Sequence, residues 1–409
     1  MNIQELHFLL VEDHDFQRRI LRRLLAGLGA RHITEAADGH AALAALDSAP
    51  QPVDICIVDL NMPGMDGMEL IRHLAEARSK VAVILSSALD RPLIASVETM
   101  ARAYGIRLLG AMEKPATAQA LQDLVALYGM HAQARRRPAR TPLQEPSLDE
   151  LRAALAAQQF EPWFQPKANL RSGEIHSAEA LARWRHPERG MIPPNLFIPL
   201  MEQHGLIDEL TAQMVARTAE AWRIWAAKGQ HYKVSINLSL SSLALPGYAE
   251  GLIRVLEQHE VPPRHIVFEV TESAAMADLP HSLENLARLR MKGYGLSIDD
   301  YGTGYSSMQQ LLRIPFSELK LDRAFVTGTS DDRAKALVLS SALALAHELK
   351  LESVAEGVES PADWHFLNRL NCQYAQGYLI SKPVPAAEFC SAVTSWRTLY
   401  AEINQENAA

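Results

Sequence analysis

Two sets of acidic residues stand where short apolar runs give out. In the first set Glu12 and Asp13 follow the run Phe8–Val11, Asp59 follows Ile55–Val58, Ser86 follows Val81–Leu85, and Lys114 precedes Pro115. Three carboxylates brought together repel one another, and a divalent cation such as Mg²⁺ relieves that repulsion. A hydroxyl and an ammonium beside them can hold an added phosphoryl group. The second set is denser. Glu179 opens EALARW, Asn237 lies in INLS, and Glu269 and Glu272 lie in FEVTES. Asp299 and Asp300 begin DDYGTGYSS, Lys320 and Asp322 come from LKLD, Glu356 and Glu359 from AEGVE, and Gln376 from QGY. Acids this crowded on an apolar scaffold need a counter-charge, and oxygen ligands without His or Cys suit Mg²⁺ or Mn²⁺ better than zinc.

The elements that must position these residues follow from the patterning. A chain of 409 residues is expected to form two or three domains. Up to residue 128, short apolar runs alternate with helix-like stretches, which predicts a doubly wound parallel sheet covered on both faces. Phe16, Ile20, Leu24 and Leu28, four apart, predict the apolar stripe of the first helix. Residues 129–146, GMHAQARRRPARTPLQEP, are rich in proline and arginine and predict a linker. From residue 147 to 409 about eight strand-like runs alternate with helical patterns, the size of a (β/α)8 barrel. One such pattern, Ile207, Leu210, Met214, Ala221, Trp222 and Trp225, closes at Gly229. Strand-like runs end near Glu179, Asn237, Glu269, Asp299, Lys320, Glu356 and Gln376, and in such barrels the site lies at the carboxyl ends of the strands.

Composition narrows the function classes. A formal charge of −8 argues against a general polyanion binder, and 48% hydrophobic with 22% charged residues is a globular balance. Cys56, Cys372 and Cys390 are widely spaced and form no disulfide framework, which suits a reducing cytoplasm. No signal peptide or bilayer-spanning run is visible, so a cytoplasmic protein without membrane insertion is expected. A DNA-binding output module is not expected, because nothing of that size remains after residue 400.

LVEDHD, IVDLNMPGMDG, ILSS and EKP, over residues 5–128, resemble the receiver domain of bacterial response regulators. The resemblance implies that Asp59 is the phosphoacceptor, Glu12 and Asp13 hold Mg²⁺, and Ser86 and Lys114 contact the phosphoryl oxygens. It implies a sensor histidine kinase or phosphotransfer protein as donor. Receivers often carry Tyr or Phe three residues before the lysine, and here that position is Ala111.

Residues 147–395 resemble the EAL family of cyclic-di-GMP phosphodiesterases. The resemblance implies a two-ion Mg²⁺ or Mn²⁺ centre with Glu179, Asn237, Glu269 and Asp299 on the first ion. Asp299, Asp300 and Glu356 would lie on the second, with Glu356 either a ligand or the general base. Lys320 would touch the attacking water or the scissile phosphate. Gln165 and Arg183 would contact the substrate, with Gln376 at it or just behind the ligands. Glu359 and Asp322 would support the site, and Glu272 would anchor a mobile loop, Asp300–Ser307, beside a dimerisation helix. The implied reaction is hydrolysis of cyclic-di-GMP to linear pGpG under control of the receiver, by a homo-oligomer. A cyclic-di-GMP receptor without turnover is the alternative.

Overall fold

A computed structural model of the chain describes residues 3–49, 51–88, 91–136, 145–271, 279–301 and 314–406. Chain contacts divide it into two compact units, Met1–Pro142 and Leu143–Ala409.

The first unit alternates β1 (His7–Val11), α1 (Asp15–Gly27), β2 (His32–Ala36), α2 (Gly39–Ser48), β3 (Ile55–Asp59), α3 (Gly67–Glu76), β4 (Ala82–Ser87), α4 (Arg91–Ala103), β5 (Arg107–Glu113) and α5 (Ala118–Arg136). The strands form one parallel sheet in the order β2-β1-β3-β4-β5. β1, β3 and β4 are buried along their whole length, because helices cover both faces and leave no wet side for polar alternation. The order reverses between β1 and β3, and the crevice at such a reversal, beyond the carboxyl ends, is where these sheets bind ligands.

Two expectations change here. In α1 Leu21 and Leu25 are buried and Leu24 and Leu28 pack partly buried against the same core, as expected of the latter two, whereas Phe16 is 66% and Ile20 37% exposed. A spacing of four drifts around a helix of 3.6 residues per turn, so a stripe so read leaves the core face within a few turns. α5 also continues past Gly129 to Arg136, into the expected linker. Residues 137–144 of that linker lie outside the described residues.

The second unit holds β6 (Phe160–Asn169), β7 (Ile175–His186), β8 (Gly190–Ile192), β9 (Lys233–Asn237), β10 (Ile266–Thr271), β11 (Gly295–Tyr301), β12 (Glu318–Leu321), β13 (Glu352–Ala355), β14 (Tyr374–Gln376) and β15 (Val384–Pro385). Eight of them close a barrel, β6-β14-β13-β12-β11-β10-β9-β7 and back to β6, while β8 and β15 pair at its margin. The eight-stranded barrel is thus present, with one departure from an all-parallel barrel. β6 runs antiparallel to both neighbours, β7 and β14. The amino-terminal half of β6 therefore lies at the mouth formed by the carboxyl ends of the other strands.

Helices pack on the outside of the barrel. The helix Ile207–Ala226 buries Leu210, Met214, Ala221, Trp222 and Trp225 as expected, and Gly229 beyond it takes φ 76°, a left-handed turn that glycine adopts without strain. Trp225 stacks on Phe389 at 4.7 Å and meets the edge of Phe164 on β6, so this helix ties the first barrel strand to the helix Phe389–Glu406. Among the described residues no helix is long and apolar enough to cross a membrane.

Candidate functional site

In the first unit, β1 and β3 deliver Glu12 and Asp59 to the same edge, and Lys114 reaches both from just beyond β5. Its ammonium lies 2.8 Å from Glu12 Oε2 and 2.7 Å from Asp59 Oδ2. Glu12, Asp13 and Asp59 each bring a carboxylate oxygen within 4.8 Å of the others, a spacing that fits one divalent ion. Burial raises the Glu12 pKa, with Asp59 adding to the effect while Lys114 opposes it. Burial works against the Lys114 charge, but its bonds to Asp59 and Glu12 outweigh that and raise its pKa. Ser86 is buried near the end of β4, beside Asp59 in register, and its hydroxyl has no hydrogen-bond partner among the described residues. A buried hydroxyl left so costs about 1–3 kcal/mol, which an arriving oxyanion would recover. Ala111 lies on β5 opposite Leu85 in register.

In the barrel, Lys320 of β12 is the centre of the site. Its Nζ lies 2.7 Å from Glu269 Oε2, 2.7 Å from Glu356 Oε1, 3.0 Å from Asp299 Oδ1 and 3.4 Å from Glu179 Oε2. These partners come from β10, the residue after β13, β11 and β7, so acids far apart in sequence converge on one cation. Burial alone would lower the Lys320 pKa, but the four carboxylates hold it well above its ordinary value. Glu269 is also fully buried, yet Lys167 and Lys320 overcome that penalty and bring it down to about 2. Glu179, Asp300 and Glu356 are instead raised, each by burial first, and Glu356 reaches about 8 although Lys320 pulls it down. The two ammoniums, Lys320 and Lys167, are outnumbered by the acids around them.

Asp299 and Asp300 are consecutive, and on a regular strand consecutive side chains point to opposite faces. Here the β11–β12 register slips between Ile298 and Tyr301, and Asp300 takes φ 55°. That local twist turns both carboxylates toward Glu356, and the three place oxygens within 4.8 Å of one another. A non-glycine residue in this conformation costs of order 1–3 kcal/mol, a strain often found at functional sites. Gly357 and Gly377 line the cavity beside these acids, where the backbone is tightly packed. A side chain at Gly377 would strike the Val358 carbonyl oxygen, 2.0 Å from where its Cβ would stand, and one at Gly357 would strike Arg323.

Glu179 is not at a strand end, since β7 runs on to His186. It reaches the mouth because β7 is staggered, with Glu179 opposite Ser235 of β9 and Gln165 of β6. Asn237 donates to Glu179 Oε1 at 2.9 Å, and Gln376 donates to Glu179 Oε2 at 2.7 Å and to Gln165 Oε1 at 3.0 Å. Gln376 Oε1 is buried without a partner among the described residues. A cavity of about 260 Å³ opens over this set, lined by Gln165, Glu179, Asp299, Lys320, Glu356 and Gln376 among others. Asp322 and Glu359 also line it. Asp322 caps the helix Arg323–Val326 through the Ala324 N–H, and Glu359 is exposed, 3.8 Å from Arg323. Arg183 is half-buried on β7 and donates to the Ala182 carbonyl at 2.9 Å. Glu272 and residues 302–307 of the expected loop lie outside the described residues. A larger cavity, about 680 Å³, lies at the amino ends of the strands beside Asn169 and Gln373 and is lined by none of the expected site residues. The chemistry therefore belongs to the smaller one.

Sequence reasoning passed over Lys167 and Glu318, which lie inside the barrel beneath this set. A lysine inside the largely buried strand β6 was the available signal.

Comparison with known proteins gives the following. The response regulator receiver domain profile matches residues 8–126, and the EAL domain profile matches residues 148–383. The cyclic di-GMP phosphodiesterase RocR of Pseudomonas aeruginosa is 37% identical over 388 residues, covering 95% of this chain and 98% of that one. The bifunctional diguanylate cyclase/cyclic di-GMP phosphodiesterase MucR of the same organism is 40% identical over 247 residues, 60% of this chain and 36% of its own. A solved structure of the PaMucR phosphodiesterase in a c-di-GMP complex is 40% identical with a TM-score of 0.57, covering 59% of this chain and 98% of that chain.

Proposed function

The chain belongs to the EAL domain family, with a response regulator receiver domain in front, and from that premise we propose that it is a cyclic-di-GMP phosphodiesterase controlled by phosphorylation of Asp59. The observation that carries this reading is the convergence of Glu179, Glu269, Asp299 and Glu356 on Lys320, with Asp300 beside them, under a cavity at the barrel mouth.

Asp299, Asp300 and Glu356 would hold one Mg²⁺ or Mn²⁺, and Glu179, Asn237, Glu269 and Asp299 the other, with Asp299 shared. Such ions supply Lewis acidity, which lowers the pKa of water and offsets the charge of a phosphodiester. The chain's own residues do the rest. Lys320 stays cationic and places positive charge where the phosphorane-like transition state gains negative charge. Glu356 would either complete the ligands of its ion or, once ionised, take a proton from the attacking water. Gln165, Gln376 and Arg183 would orient the dinucleotide. Water oxygen bonds to phosphorus, the bond to the 3′ oxygen breaks, that oxygen takes up a proton, and the ring opens to linear pGpG.

In the receiver, Asp59 would accept a phosphoryl group from a sensor histidine kinase or phosphotransfer protein. Glu12 and Asp13 would hold Mg²⁺ with it, and the free Ser86 hydroxyl and Lys114 would bind the added oxygens. The proposal includes a cytoplasmic protein that self-associates through the barrel domain. The purified full chain, incubated with cyclic-di-GMP and Mg²⁺, should yield pGpG on chromatography and none with chelator. Saturable binding without product in either Mg²⁺ or Mn²⁺ overturns the enzyme and leaves a receptor.

A further inference from the structure

Beneath the mouth lies a second ammonium that the hydrolytic reading does not use. Lys167 is wholly buried inside the barrel. On a strand parallel to the others, the residue two positions after Gln165 would lie nearer the mouth. Because β6 is antiparallel, Lys167 lies one layer deeper, opposite Ser177 of β7 and Gln376 of β14. Its three protons have three partners on three other strands. They are Ser235 Oγ of β9 at 2.9 Å, Glu269 Oε1 of β10 at 2.8 Å and Glu318 Oε1 of β12 at 3.1 Å. An ammonium has three donors and no acceptor, so its hydrogen-bonding capacity is full.

Glu269 is therefore held from two sides, Oε1 by Lys167 from below and Oε2 by Lys320 from the mouth. The lower contact fixes the rotation of the carboxylate and leaves Oε2 as the oxygen that faces the mouth. A buried lysine carries a large desolvation penalty, and a well-packed apolar residue often does as well for stability alone. What an apolar residue could not do is orient Glu269.

We propose that Lys167 is a positioning residue of the barrel site, holding Glu269 by Oε1 so that Oε2 is preset toward the cation at the mouth. This rests on the reading of Glu269 as a ligand. The alternative role for Lys167 is that of a counter-ion to Glu318, the other buried acid it touches.

Three full-chain variants separate the two roles: Lys167→Met, Glu318→Gln and the double variant Lys167→Met/Glu318→Gln. The Mg²⁺ concentration for half-maximal hydrolysis is read alongside the KM for cyclic-di-GMP, thermal stability and Mn²⁺ binding followed by electron paramagnetic resonance. The receiver's own ion is common to every variant. Lys167→Met should raise the Mg²⁺ requirement by about 10–100-fold, the range seen when the partner that orients a metal ligand is removed, with little change in KM. The double variant removes one charge of each sign, so it should regain stability but keep the raised Mg²⁺ requirement. Glu318→Gln alone should keep the parental requirement. Recovery of the parental Mg²⁺ dependence in the double variant makes Lys167 a counter-ion only and overturns the proposal. So does a shift of about 10-fold or more in Glu318→Gln, which decides the matter even if neither Lys167 variant folds. If the parent chain binds Mn²⁺ in the barrel but hydrolyses nothing, the phosphodiesterase reading fails by itself, and the Mn²⁺ affinities still test Lys167.

Discussion

The receiver and the barrel each set acids around a lysine, but at different depths. In the receiver Lys114 joins Glu12 and Asp59 at the open edge of a sheet, its side chain 13% exposed and Asp13 beside them in solvent. In the barrel Lys320 is 1% exposed, and below it Lys167 is wholly buried. Water can screen charge at a sheet edge, whereas a closed ring of strands admits little, so charge placed deep in the barrel must be met by built-in charge. The barrel holds a second lysine, Lys167, bonded to Glu269 and Glu318 in that dry interior. An open site suits a group that must be added and removed by another protein, and a deep one suits a reaction that must hold its ligands still.

The largest effect should come from the barrel acids. Asp299→Asn, Glu179→Ala and Glu356→Gln should each lose nearly all hydrolysis of cyclic-di-GMP while keeping the circular dichroism of the parent and its capacity for phosphorylation at Asp59. Substantial turnover in any of them shows that the role is misplaced at that position.

The next tests depth directly. Lys320→Met strands four acids around an uncharged side chain, and removing one partner of a buried ion pair costs about 3–5 kcal/mol. Lys114→Met, at the open edge, should cost clearly less in urea denaturation of the same chain without divalent ions. Equal losses would remove the distinction drawn between the two sites. Added Mg²⁺ should restore part of the stability lost in Lys320→Met, because it replaces the missing positive charge.

The smallest effect is coupling. A phosphoryl donor should change turnover of the full chain, and Asp59→Asn should abolish that change while leaving basal hydrolysis close to the parent. With Ala111 in place of a ring, a message relayed by an aromatic swinging inward at that position is not available; the change should be absent from a 147–409 fragment, which lacks Asp59. Identical full-chain rates with and without verified Asp59 phosphorylation would refute the coupling and spare the hydrolytic assignment.

Much of this was legible in the chain itself. Residue types at the ends of apolar runs marked Glu12, Asp59, Ser86 and Lys114, and likewise Asn237, Glu269, Lys320, Glu356 and Gln376, because a buried strand is apolar until it leaves the core. The period of the helix Ile207–Ala226 was legible for the same reason, since one face must be apolar to pack. Three things were decided only in three dimensions. The burial of Leu21 and Leu25 in place of Phe16 and Ile20 depended on which face of α1 meets the sheet. The pairing of Asp299 with Asp300 on one side depended on a register slip that no residue type announces. The placement of Lys167 depended on the direction of β6. Alternation with a period of two reads the same forwards and backwards, so a strand's own residues cannot say which way it enters a barrel; the neighbours that complete its hydrogen bonds do.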